Sequence, residues 1–326
     1  MPSWDELLEQ FSKRAVADRT PWLLAQQGEA LRTISQLREG RNVILYGSAF
    51  LQKPQAPSQY LTINHEDLNG FMASVHQMDC KLGLTLLLHT PGGVTNAAES
   101  VVAYLRSKFT HIEVIVPALA MSAGTMISLS AERIVMGRQS QLGPIDPQIP
   151  AGGRMVSAQA VVEQFEQARR EIIGDPVTGQ KGNLDAAHLW APVLQSVGPS
   201  LLLEAQNALA YGESMVARWL TTCMFAADPP GAGAGKKAAK HFNDATTHKS
   251  HGRRIDRDEA RSEGLTVEDL EDSDELQEAV LTAYHLMTII FEQSAAAKLL
   301  WTSHGRTWIK NWAPAAAVQA SQVPTP

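Results

Sequence analysis

The sequence predicts an α/β fold with a mainly parallel sheet flanked by helices. Three observations carry this. Leu84 to Leu88 and Ile112 to Val116 are apolar-rich runs, as expected of strands buried on both faces of a parallel sheet. Helical patterns follow them, at Thr95 to Phe109 and Ser122 to Ser130, and Arg133 to Met136 reads as a third strand. Strand, helix, strand, helix, strand with short connections implies parallel pairing through right-handed crossovers.

The other elements follow in order. Residues 4–38 read as helical, with Leu7, Leu8, Phe11, Leu23, Leu24, Leu31, Ile34 and Leu37 near helical spacing and Gly40 as the stop. Asn42 to Tyr46 is a strand signal, Gly47 to Tyr60 a loop and Asp67 to Met78 an amphipathic helix. Residues 157–173 and 199–222 read as long helices around a polar loop at 174–183, and residues 228–236 form a Pro/Gly break. Residues 256–262 and 274–300 read as helical, and the Ala/Pro-rich tail from Ala313 as poorly ordered. The expected organisation is a helical segment over 1–38, a catalytic domain over 39–272 with a helical insertion at about 157–236, a C-terminal helical segment over 273–312 and a disordered tail over 313–326. There is no internal repeat.

Composition narrows the function classes. The chain has 326 residues, 44% of them hydrophobic and 19% charged, with a formal net charge of -6. That supports a large core and argues against a disordered chain or one whose main partner is nucleic acid. No apolar run reaches the ~18 residues a membrane span needs. Met1 to Leu7 lacks a basic region leading into an apolar stretch, and with only Cys80 and Cys223 nothing indicates an oxidising compartment. A cytoplasmic protein is expected.

Two segments carry chemistry. Thr90-Pro91-Gly92-Gly93 follows a strand and opens a helix. Its glycines allow a sharp turn and leave amide N–H groups able to stabilise an oxyanion. A Gly-rich turn that merely starts the helix fits the same residues. In Ala120-Met121-Ser122-Ala123-Gly124-Thr125, Ser122 lies at a strand-to-helix junction. The helix dipole there favours developing negative charge, although serine is also a common N-cap. Each segment follows a parallel strand, so both lie at the carboxyl edge of one sheet, where sites in open α/β folds form.

These motifs resemble the ClpP and signal-peptide-peptidase-A group. They are closer still to the serine dehydrogenase proteinase family, through Leu-His-Thr-Pro-Gly-Gly at 88–93, Ala-Met-Ser-Ala-Gly-Thr-Met at 120–126 and Leu-Gly-Pro-Ile-Asp-Pro-Gln at 142–148. The resemblance runs from about residue 40 to 305 and is densest over 84–149. It implies a ClpP/crotonase-like fold, peptidase activity and oligomers. It also implies Ser122 as nucleophile and Gly92 and Gly93 as the oxyanion turn, with the Ala123 amide as second donor.

The sequence departs from the resembled pattern at the general base. ClpP-like enzymes place a His about 25 residues after the serine, but counting on from Ser122 reaches Pro147, between Asp146 and Gln148. Ser-Lys enzymes place a Lys about forty residues on, where residues 157–170 offer only Arg169 and Arg170, which stay protonated. The candidates are His251 first, just before the helix at 256–262, then His248, then Lys181 in the polar loop. Asp146 is a weak base for a serine. It either orients the true base or forms a Pro-Asp-Pro turn. His89 is not taken as a base.

No metal or other cofactor is expected. His65 lies in a short polar loop, and no His-x-x-x-His or Cys-x-x-Cys spacing occurs. His248 and His251 form the one His-x-x-His pair worth noting as a metal alternative. The expected function is a serine peptidase acting on peptide or protein, as a homo-oligomer without nucleic acid or a membrane span. Any partner unfoldase would be a separate chain, since there is no phosphate-binding loop. The alternatives are a crotonase-type acyl-CoA enzyme using the same oxyanion hole, and a non-catalytic peptide-binding scaffold.

Overall fold

A computed structural model describes residues 3–196, 198, 200–227 and 233–314. Seven strands form the principal sheet: β1 (Asn42–Ser48), β2 (Leu84–His89), β3 (Ile112–Val116), β4 (Arg133–Met136), β5 (Val267–Asp269), β6 (Ala296–Thr302) and β7 (Thr307–Asn311). Their order is β5-β4-β3-β2-β1-β6-β7. The first five are parallel, and β6 and β7 add antiparallel at one edge. The sheet is therefore mainly parallel, as the alternating pattern predicts.

Adjacent residues of each strand serve opposite layers. Leu86 and Leu88 join one buried cluster with Val101, Val102 and Leu105 of the helix Thr95–Lys108. Leu87, Ile115 and Val135 join another with Leu31 and Ile34 of the helix Val16–Leu37 and Val280 and Met287 of the helix Asp274–Gln293. Helices cover both faces, which is why the strands lack hydrophobic alternation. A third, small cluster joins Ala158 and Val161 to Leu201 and Ala205, between the helices Ala158–Ile173 and Leu201–Thr222.

The expected C-terminal helical segment over 273–312 needs correction in its second half. The helix ends at Gln293, and Ala296–Thr302 and Thr307–Asn311 form a hairpin that extends the sheet. All seven residues of β6 are buried. A strand buried on both faces is a short apolar run without period, and beside a long helix it reads as more helix. The expected tail from residue 315 onward, and residues 228–232 of the expected break, lie outside the described residues. No helix among the described residues is long and apolar enough to cross a membrane.

One buried charge ties these layers together. Glu113, on β3, is fully buried and accepts from Arg38 Nε and Nη2 at 2.9 and 2.6 Å and from Thr85 at 2.6 Å. Burial pushes this carboxyl up, but the Arg38 and Thr85 hydrogen bonds and the Arg38 and Arg41 charges outweigh it, so its pKa lies below the ordinary value.

Candidate functional site

A second ladder runs beyond the carboxyl ends of the strands. Thr90 bridges Ala120 in parallel, Ala120 pairs with Leu142 in parallel, and Leu142 bridges Ile255 antiparallel. Ile63 bridges Gly93 on the other side. Segments distant in sequence thereby meet along one row of main-chain hydrogen bonds.

Ser122 stands at the head of this row, immediately before the helix Ala123–Leu129. Its backbone has φ 51° and ψ -115°, a left-handed conformation unusual for any residue but glycine. Such strain persists where the surroundings enforce it, and here they do. Met121 N–H donates to Thr90 O at 3.0 Å before the turn, and Gly124 N–H donates to Met121 O at 2.8 Å after it. Thr125 Oγ1 donates to Ala120 O at 2.7 Å and accepts from Gly143 N–H at 2.9 Å. The hydroxyl of Ser122 is half-buried and, among the described residues, makes no hydrogen bond.

Gly92 lies directly against this turn. Its φ is 101°, and a Cβ there would meet Met121 O and Ser122 Cβ at 2.7 Å and Ala123 N at 3.2 Å. Only glycine permits both the backbone and the approach. Gly93 is pressed against Ile63, whose backbone O and N would lie 2.2 and 2.4 Å from an added Cβ. The amides differ. Gly92 N–H donates to Thr90 Oγ1 at 3.2 Å. Among the described residues, the Gly93 and Ala123 N–H groups have no partner.

The carboxylate and imidazole come from the far side of the row. His251 Nδ1 lies 2.7 Å from Asp146 Oδ1, and Gln148 Nε2 donates to Asp146 Oδ2 at 2.8 Å. Asp146 is 2% exposed in its side chain and His251 is 31% exposed. With Gln148, Glu163 and Lys249 they line a cavity of about 330 Å³, which Ser122 does not line. His251 makes no hydrogen bond to Ser122.

The remaining expected residues stand apart. Both ring nitrogens of the buried His248 are engaged, Nε2 with His241 O at 2.8 Å and Nδ1 with Arg253 Nη1 at 3.1 Å. Burial pushes this imidazole below its ordinary pKa. In this arrangement neither nitrogen is left for Ser122. Lys181 is exposed in a two-residue hairpin with Gly174 and makes no contact with the site. His89 is fully buried between Phe50 and Tyr284, with ring centroids 5.0 Å from each. Burial pushes its pKa down to about 4.

Sequence reasoning missed the support beneath the Gly92-Gly93 turn. Asp67, fully buried, accepts from Lys298 Nζ at 2.9 and 3.0 Å, from Tyr46 Oη at 3.0 Å and from Asn64 N–H at 2.9 Å. Asn64 follows Ile63, which takes its N–H to Gly92 O at 2.8 Å and accepts from Val94 N–H at 2.9 Å. The ion pair thus anchors the segment that braces Gly92 and Gly93. Gln148, at the end of the 142–148 motif, was legible as a motif residue without a role.

Comparison with known proteins bears out the resemblance. Residues 20–178 match the family described as ClpP-like SDH-type serine proteinase. That stretch contains Gly92, Gly93, Ser122 and Asp146 and ends before His251. Two uncharacterised proteins of Methanocaldococcus jannaschii, MJ0137 and MJ1495, are each 34% identical, over 108 and 90 residues, or 33% and 28% of this chain. The matches cover 36% and 31% of those proteins, so the chain spans about a third of the length of these curated relatives. Two solved structures of 1510-N, a membrane-bound stomatin-specific protease, one with a substrate peptide, are 16% and 17% identical with TM-scores of 0.38. They cover 67% and 80% of this chain and 79% and 91% of theirs. A likeness that slight carries no argument about the site.

Proposed function

We propose that the chain is a serine peptidase with Ser122 as nucleophile, His251 as general base and Asp146 as the group that orients it. The observation that carries this reading is the left-handed Ser122 turn with Gly92 packed against it and the Gly93 and Ala123 amides unpaired among the described residues. Gly93 and Ala123, rather than Gly92, then supply the oxyanion donors, because Gly92 N–H is committed to Thr90.

The chemistry follows from the proton positions. A carboxylate at Asp146 accepts from His251 Nδ1–H, which leaves the lone pair on Nε2. Ser122 Oγ attacks the peptide carbonyl carbon and its proton passes to Nε2. The oxyanion accepts from the two amides. The imidazolium gives its proton to the departing amine, and water, deprotonated by the same imidazole, releases the acyl group. His251 is one-third exposed, so it can approach Ser122 as substrate binds, a tightening common in catalytic sites.

A fluorophosphonate probe tests this reading. It should label the wild type and leave Ser122→Ala unlabelled. A folded wild type that takes no label would overturn it. One observation favours a second reading, peptide binding without catalysis: among the described residues the Ser122 hydroxyl has no hydrogen-bonded base. Under that reading Ser122→Ala would bind peptides as the wild type does, and neither would cleave them.

We also propose that the chain assembles with copies of itself. The insertion helix Ala186–Ser196 buries none of its residues, and Leu189 is 78% exposed. Exposed apolar surface of this kind marks contact sites. Light scattering that returned a stable monomer would refute this.

A further inference from the structure

The segment that carries His251 is held by a cluster outside the proposed site. His241 lies in the last turn of the helix Ala234–Asn243, His248 ends the short helix Ala245–His248, and Glu259 lies on the helix Arg257–Ser262. One ligating atom from each lies within 4.8 Å of the other two.

The outer contacts aim these atoms. His248 Nε2 lies 2.8 Å from the His241 carbonyl oxygen, so it carries the proton and turns the Nδ1 lone pair inward. His241 Nδ1 lies 3.5 Å from Glu263 Oε1, and its Nε2 is turned inward, where it now donates to Glu259 Oε1 at 3.3 Å, a proton that a bound metal would replace. Ligating imidazoles are oriented as His248 is, with the outer N–H given to a carbonyl or carboxylate. Two donors about 2.0–2.1 Å from a tetrahedral zinc lie roughly 3.3 Å apart. His241 Nε2 and Glu259 Oε1 are already 3.3 Å apart.

A cation already occupies the middle. Arg253 Nη1 lies 2.6 Å from Glu259 Oε1 and 3.1 Å from His248 Nδ1. Its side chain is 38% exposed, so it can withdraw into solvent. An ion-pair hub needs only Arg253 and Glu259. It does not require two imidazoles turned toward one carboxylate, one of them with its outer N–H anchored on a carbonyl.

We propose that His241, His248 and Glu259 form a site for a divalent transition metal of the zinc class, closed in this structure by Arg253. Two imidazoles and one carboxylate suit zinc and leave a fourth position for water. His251 lies between the second and third ligands in sequence, so a bound metal clamps the segment that presents it to Asp146. The site stands independently of the peptidase reading.

Binding to purified, tag-free protein tests this without any activity measurement. Zinc is titrated against a chromogenic chelator, and cobalt is added separately to read the visible bands of a tetrahedral ion. Arg253→Ala should bind one zinc per chain more tightly than the wild type and give the cobalt bands. Adding His241→Gln to that variant should weaken binding by about 10- to 100-fold or more. Circular dichroism establishes that each protein is folded, and Glu259→Gln replaces His241→Gln if the latter is not. The proposal is overturned if Arg253→Ala binds zinc no more tightly than the wild type, or if loss of the ligand leaves binding unchanged.

Discussion

His251 and Asp146 face each other because the main chain puts them there. Asp146 stands four residues after Leu142 and His251 four before Ile255, and Leu142 and Ile255 exchange both main-chain hydrogen bonds of an antiparallel pair at 2.9 Å. The 2.7 Å contact between imidazole and carboxylate extends that register.

Asp146→Asn should keep the fold and lose the chemistry. An amide accepts less well from Nδ1–H and lets the imidazole adopt the wrong tautomer. Labelling by fluorophosphonate should slow on the order of 10³- to 10⁴-fold. Gln148→Ala, which removes only a second hydrogen bond to Asp146, should slow it far less. Equal effects from the two would break the assignment of roles.

Gly92→Ala should damage the site through space as well as backbone. The left-handed conformation alone costs about 1–3 kcal/mol, and the new methyl meets Met121 O and Ser122 Cβ at 2.7 Å. Gly305→Ala is the control, since its φ is 81° but nothing lies within 4 Å of the added carbon. Both variants should melt below the wild type, and only Gly92→Ala should lose labelling of Ser122.

Lys298→Met should be among the most destabilising single changes. It leaves the Asp67 carboxylate buried beside Tyr46 without its counter-ion, a loss of about 3–5 kcal/mol by urea unfolding. Asp67→Asn added to Lys298→Met should recover part of it, because the uncompensated charge is gone. If the double variant is no more stable than Lys298→Met, the charge is not the cause.

His89 gives the fold an acid dependence. Its pKa lies at about 4 in the folded chain, below the ordinary value of 6.5, because burial disfavours the charged ring. The unfolded chain therefore binds the extra proton first as pH falls. The stability conferred by the neutral ring is full above 6.5 and is lost progressively down to about 4. His89→Phe, which can occupy the space between Phe50 and Tyr284, should flatten stability against pH in that window. An unchanged slope would show that other groups carry it.

Much of the fold was readable because its strands are short apolar runs separated by helices. Arg133–Met136 and Ile112–Val116 lie where the pattern puts them. The Pro-Gly-Gly turn and Ser122 were readable because sharp turns and a strained junction demand particular small residues. The partnership of Asp146 and His251 was harder. Both were candidates, but only the Leu142–Ile255 register pairs them. Lys298 was invisible as a partner of Asp67, since the two stand 231 positions apart and a buried lysine in an apolar run looks like a surface residue of a helix. The zinc-class cluster was hidden for the same reason: His241, His248 and Glu259 follow no short spacing, and three separate elements bring them together.

The position of β6 has a consequence for how the chain is made. The first strand of the sheet takes its edge partner from residues 296–302, near the end of the described chain. During synthesis β1 leaves the ribosome with one edge open, and Asp67 emerges long before the lysine that neutralises it. The Ser122 turn, the Gly92-Gly93 turn and the five parallel strands are all translated while that edge is bare. A nascent chain of this kind cannot close its sheet until residues 296–302 have been made, and the interval with an unpaired strand edge is when it is most exposed to aggregation.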